Sequence, residues 1–70
     1  MNPAAPKALV VLRVPRGEPT PSEADIRSAI EVDRRRLHLP GGEIVAYRLA
    51  GPYHIDLEGR ALDEYVAWEV

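Results

Sequence analysis

The 70-residue chain contains no cysteine. Disulfides and thiolate–zinc sites are therefore outside its chemistry, and zinc-finger and thiol-enzyme readings go with them. A basic excess is missing too: 9 lysines and arginines stand against 11 aspartates and glutamates, a formal charge of −2. Domains built to hold a phosphate backbone are usually strongly basic. No apolar run approaches the 20 or so residues needed to cross a bilayer. The opening MNPAAPKA has no charged segment followed by an apolar core, so no secretory leader is expected and a cytoplasmic protein follows by default. There is no internal repeat and no low-complexity tract. Nor is there a glycine-rich phosphate loop, a metal-ligand spacing or a nucleophile to accompany a base. We therefore expect no cofactor, no metal and no catalytic residue.

What is present fits one small domain, residues 7–70, behind a loose proline-containing tail at residues 1–6. A chain this short buries a modest fraction of its surface, so its own core supplies only a few kcal/mol. Either the packing is economical or the protein associates with itself or with a partner.

The most legible stretch is Thr20 to Leu39. Thr20 suits an N-cap, Pro21 the first helical position, and Glu23, three residues after Thr20, completes a capping box. Pro40 disfavours helix at Leu39, and Gly41-Gly42 then read as a C-cap and turn. Ile26, Ala29, Ile30 and Leu37 share one face, with Asp33 in its middle, where a neighbouring arginine is the expected partner. Glu23, Arg27, Glu31 and Arg35 alternate in sign on the opposite face. Arg34, Arg35, Arg36 and His38 gather where cations complement the helix dipole.

Lys7 to Val14 reads as a first strand, apolar on both faces and ended by Pro15. Glu43 to Ala50 reads as a second, and Tyr53 to Glu58 as a third with clean alternation. Matching their inward sets pairs Leu49 with Tyr53, Tyr47 with Ile55 and Val45 with Leu57, around a turn at Ala50-Gly51-Pro52. Residues 60–70 fit either a second helix, with Leu62, Tyr65 and Val66 on one side, or a fourth strand. We favour the strand, because Gly59-Arg60 suits a tight turn placing Leu57 opposite Leu62, and because the last six residues are rich in β-formers.

The expected fold is therefore α+β, in the order β-α-β-β-β: a four-stranded, mostly antiparallel sheet with one helix on one face. Its core is expected to comprise Val10, Leu12 and Val14 from the first strand, and Ile26, Ile30 and Leu37 from the helix. Val45, Tyr47, Leu49, Ile55, Leu57, Val66 and Trp68 complete it.

One helix covers one face of such a sheet. The other face would carry Leu9, Val11, Ile44, Ala46, Tyr65 and Ala67, rimmed by polar residues including Arg48. An apolar centre with a polar rim is the pattern of an interface. The leading expectation is a non-catalytic protein-interaction module that forms a homodimer or docks on a larger protein through this face. Regulators, antitoxins and phage-type inhibitors are of similar size and charge, an analogy that cannot establish function. The second reading is a nucleic-acid-binding regulator using Arg34, Arg35 and Arg36. A third possibility is chemistry at His54, Asp56 and Glu58, which project together from one strand. Polar-out alternation explains that triplet without any chemistry.

Overall fold

The computed structural model describes residues 7–70; the expected tail at residues 1–6 lies outside them. Four elements follow one another: β1 (Leu9–Pro15), α1 (Glu23–Arg36), β2 (Tyr47–Leu57) and β3 (Arg60–Glu69). The sheet has three strands in the order β1-β3-β2, with both neighbouring pairs antiparallel. β1 and β2 therefore run parallel without touching, and β3 fills the slot between them. The class is α+β as expected, but four strands have become three.

The missing strand is explained at Gly51-Pro52. The segments expected on either side of a hairpin turn are one 11-residue strand, β2. Ala50 pairs with Val66 and Tyr53 with Glu64, so three steps on β2 match two on β3. That is a β-bulge, with one extra residue on the outer strand. Gly51 adopts φ +119°, and a Cβ there would stand 2.6 Å from the Glu64 carbonyl oxygen. Glycine is the residue that tolerates both. Pro52 lacks an N–H, which an edge strand or bulge tolerates. Turns and bulges draw on the same residues, and here the bulge prevails because β3 offers a full-length partner.

The bulge also reverses the alternation of β2. Before it, Tyr47 and Leu49 face the helix; after it, Tyr53, Ile55 and Leu57 face the other way. Residues 60–69 are a strand, as favoured, but their register differs by two from that expected. Leu57 pairs with Arg60 and Ile55 with Leu62. The turn residues are Glu58 and Gly59, with φ of 50° and 75°. A two-residue turn with both φ values positive matches the twist of a hairpin, so the turn sits one residue earlier than Gly59-Arg60.

The helix starts at Ser22, not Thr20. The Ser22 hydroxyl accepts from the Asp25 N–H at 3.1 Å. Thr20 instead stands 3.5 Å from the buried Tyr65 hydroxyl. At the other end, Leu39 N–H donates to the Arg34 carbonyl and His38 N–H to that of Arg35. These are the two bonds of a Schellman cap, and His38, at φ 57°, takes the left-handed position expected of a glycine. Leu37 falls outside the packed face and is exposed.

The core lies between α1 and the sheet. Ala8, Ile26, Ile30, Ile44 and Ala67 are buried, with Val10, Leu12, Tyr47 and Leu49 packed against them. Ile44 enters from the connector ahead of β2, whose path Arg27 fixes by donating to the Ile44 carbonyl at 2.7 Å. Its neighbour Val45, expected in the core, is 91% exposed.

Candidate interaction surface

The face of the sheet turned away from α1 is defined by register. On β1 it carries Leu9, Val11 and Arg13, which pair with Trp68, Val66 and Glu64 of β3. On β2 it carries Arg48 and Ala50 before the bulge, and Tyr53, Ile55 and Leu57 after it. Leu9 is 56% exposed, Tyr53 52%, Val11 51% and Leu57 43%. β-branched and aromatic residues favour such strands; of the apolar side chains on this face Leu62, between Pro15 and Ile55, is buried, and the four just named are not. The strip measures about 33 Å along the strands and about 10 Å between the outer strand axes, from the usual strand rise and spacing.

The interface residues expected from sequence divide in two. Leu9, Val11 and Arg48 lie on this open face. Ile44, Tyr65 and Ala67 are buried under the helix instead, and Ala46 is exposed in the connector just before β2. Sequence reasoning missed Ala50, Tyr53, Ile55, Leu57, Val66 and Trp68; it placed four of them, Ile55, Leu57, Val66 and Trp68, in the core. That Tyr53, Ile55 and Leu57 share a face was legible; that this face would be shared with Ala50 and turned away from the helix was not, because the bulge reverses the alternation of β2.

Charge on this face is uneven. Arg13, Arg48 and Arg60 share it by register, against Glu64 alone, which Arg13 holds at 3.0 Å. Three arginines less one glutamate leave two positive charges on one face of a chain whose net charge is −2. Arg48 and Arg60 make no ion pair among the described residues.

The β1 edge of the sheet offers less. Glu69 N–H donates to Ala8 carbonyl and Arg16 N–H to Ala61 carbonyl, so even-numbered residues of β1 bond toward β3. Odd-numbered ones point their backbone groups outward. Of these, Leu9 N–H is already bonded by the buried Asp33 carboxylate at 2.9 Å, and Pro15 has no N–H. Along β1 only Val11 and Arg13 offer both free groups, and blunting of this kind discourages strand addition at that edge.

The arginine cluster at the end of α1 is mostly engaged within the chain. Arg34 grips Glu69 through two bonds and donates to the Gly42 carbonyl at 2.7 Å. Its hydrogen bond to Glu69 raises its pKa, against the opposing pull of burial, so it stays a cation. Arg36 pairs with Asp33, the partner expected for that buried acid. Arg35 remains exposed.

His54, Asp56 and Glu58 do not form one site. His54 Nδ1 lies 2.6 Å from Asp63, which also accepts from the Gly17 N–H at 3.2 Å. Asp56 stands 3.7 Å from Arg16, and Glu58 belongs to the turn. Burial pushes the Asp63 carboxyl up. The His54 hydrogen bond, the Gly17 N–H and the charges of His54 and Arg16 outweigh that and leave it below its ordinary value. No hydroxyl or thiol bonds to the His54 ring among the described residues, so the pair works as a clasp between the β1–α1 connector and the hairpin. Among the described residues no group of three or more His, Asp or Glu could hold a metal, and no helix is long and apolar enough to cross a membrane.

No protein-family model matches this chain, and no curated protein or solved structure does.

Proposed function

We propose that this protein is a non-catalytic interaction module that takes a protein partner on its open sheet face. The observation that supports this is the row of large apolar side chains, Leu9, Val11, Tyr53 and Leu57, all about half exposed on one side of one sheet. Patches of this kind on small domains mark interaction sites more often than chance. The bland explanation, single scattered surface residues, is weakened by the register, which puts the four on a common face with Val66 and Trp68.

A photo-crosslinking map tests this reading. A benzophenone side chain is placed at Tyr53 or Leu57 on the open face, and at the exposed Ala24 on the helix. Discrete protein adducts from the sheet positions, lost on Val11→Asp and absent from position 24, are the expected result. Equal labelling from all three positions would refute the proposal.

A further inference from the structure

Resting on the open-face reading above, we infer the kind of partner: an amphipathic α-helix of another protein, with acidic residues flanking its apolar stripe. Two observations carry this. The first is shape. A strip about 33 Å long and 10 Å wide matches one helix of about 20 residues, which is about 30 Å long and 10 Å across. The opposite face of this sheet is already covered in that way by the single helix α1. The second is charge. The face carries Arg13, Arg48 and Arg60 against Glu64, although the chain as a whole is acidic. Arg48 sits beside Trp68 near one end of the strip, and Arg60 beside Leu57 at the other. Carboxylates flanking an apolar stripe would meet both arginines while the apolar side chains cover Val11, Val66 and Tyr53.

A second copy is the weaker occupant. Sheet-to-sheet packing about a two-fold axis would set this positive face against itself, and like-charge juxtaposition suppresses wrong partners. A single-stranded nucleic acid would also answer to arginines and aromatics, but the surface between Trp68 and Tyr53 is aliphatic.

The chain's one tryptophan, Trp68, lies on this face and reports occupancy directly. Its emission is titrated with a designed 20-residue helix bearing a leucine stripe and glutamate flanks. The same helix with lysine flanks and a 15-nucleotide oligothymidine serve as comparisons. The glutamate helix should shift the emission and bind at least tenfold tighter than the lysine helix, and Arg48→Glu with Arg60→Glu should reverse that order. Both arginines are exposed, so the double variant keeps its fold. Equal binding of the two helices, or an order unchanged in the double variant, overturns the acidic-helix proposal while leaving the face as a docking surface. Tighter binding of oligothymidine, or a wild type that is dimeric by light scattering and loses the dimer on Val11→Asp, overturns it in favour of those occupants. No response of Trp68 to any probe, in a protein monomeric throughout, removes the open-face reading itself.

Discussion

Gly51 and His38 both occupy the left-handed backbone region, and they should respond oppositely to substitution. At Gly51 a Cβ would meet the Glu64 carbonyl oxygen at 2.6 Å, with φ at +119°. Neither the backbone atom nor the bulge has room to yield. Gly51→Ala should therefore cost roughly 2–4 kcal/mol of stability, measured by denaturant unfolding. A loss within experimental error would mean that the bulge rearranges. His38 has a Cβ but holds φ 57° at the helix cap. Glycine relieves that strain, so His38→Gly should gain about 0.5–1 kcal/mol. A destabilised variant would show that the His38 side chain contributes a contact beyond its backbone role.

Between elements, the Asp63 clasp joins the Arg16-Gly17 connector to the hairpin, and it carries a pH signature. The carboxyl is held below its ordinary value in the folded protein, so the unfolded chain binds its proton first as pH falls. The stability it contributes is present above the ordinary carboxylate pKa of about 4 and is lost as pH drops through the lower folded value. Asp63→Asn removes that titration while keeping the shape. Denaturant midpoints taken between pH 3 and pH 7 should fall more steeply for the wild type than for the variant, and parallel curves would contradict this. The elements themselves were largely legible in sequence. The helix was expected within a few residues of its ends, because its apolar spacing and Pro40 are strong signals. The strand at 60–69 was preferred over a helix for its β-forming residues and the tight turn before it, and a strand forms there. The cap at Ser22 was hidden by a better-looking cap two residues earlier. The single strand β2 was hidden because Gly51-Pro52 suits a turn as well as a bulge. One extra residue there reverses the facing of the rest of the strand, which moved Ile55 and Leu57 out of the expected core. Tyr65 and Ala67 joined the core because they sit on the helix side of β3 opposite Leu12 and Val10, and Ile44 because the connector before β2 carries it there.

At the scale of the whole molecule, the sheet has a packed face and an open one. Stability resides in the contact between α1 and the sheet, where Ile26 and Ile30 meet Ala8, Ala67 and Ile44. The far face is less completely packed: Leu62 is buried there, while Leu9, Val11, Tyr53 and Leu57 stay about half exposed. An open patch existed in the sequence reading as well, since one helix cannot cover both sides of a sheet; its membership awaited the bulge. The most direct measurement is thermal unfolding of the wild type and of Val11→Thr with Tyr53→Thr, each at two protein concentrations tenfold apart. Threonine keeps strand propensity while removing apolar surface. The account predicts midpoints independent of concentration and a variant within about 8 °C of the wild type, the span of roughly 1 kcal/mol for a domain of this size. A wild-type midpoint that rises with concentration and collapses in the variant would contradict it, because the open face would then be part of the folded core, completed by a second copy.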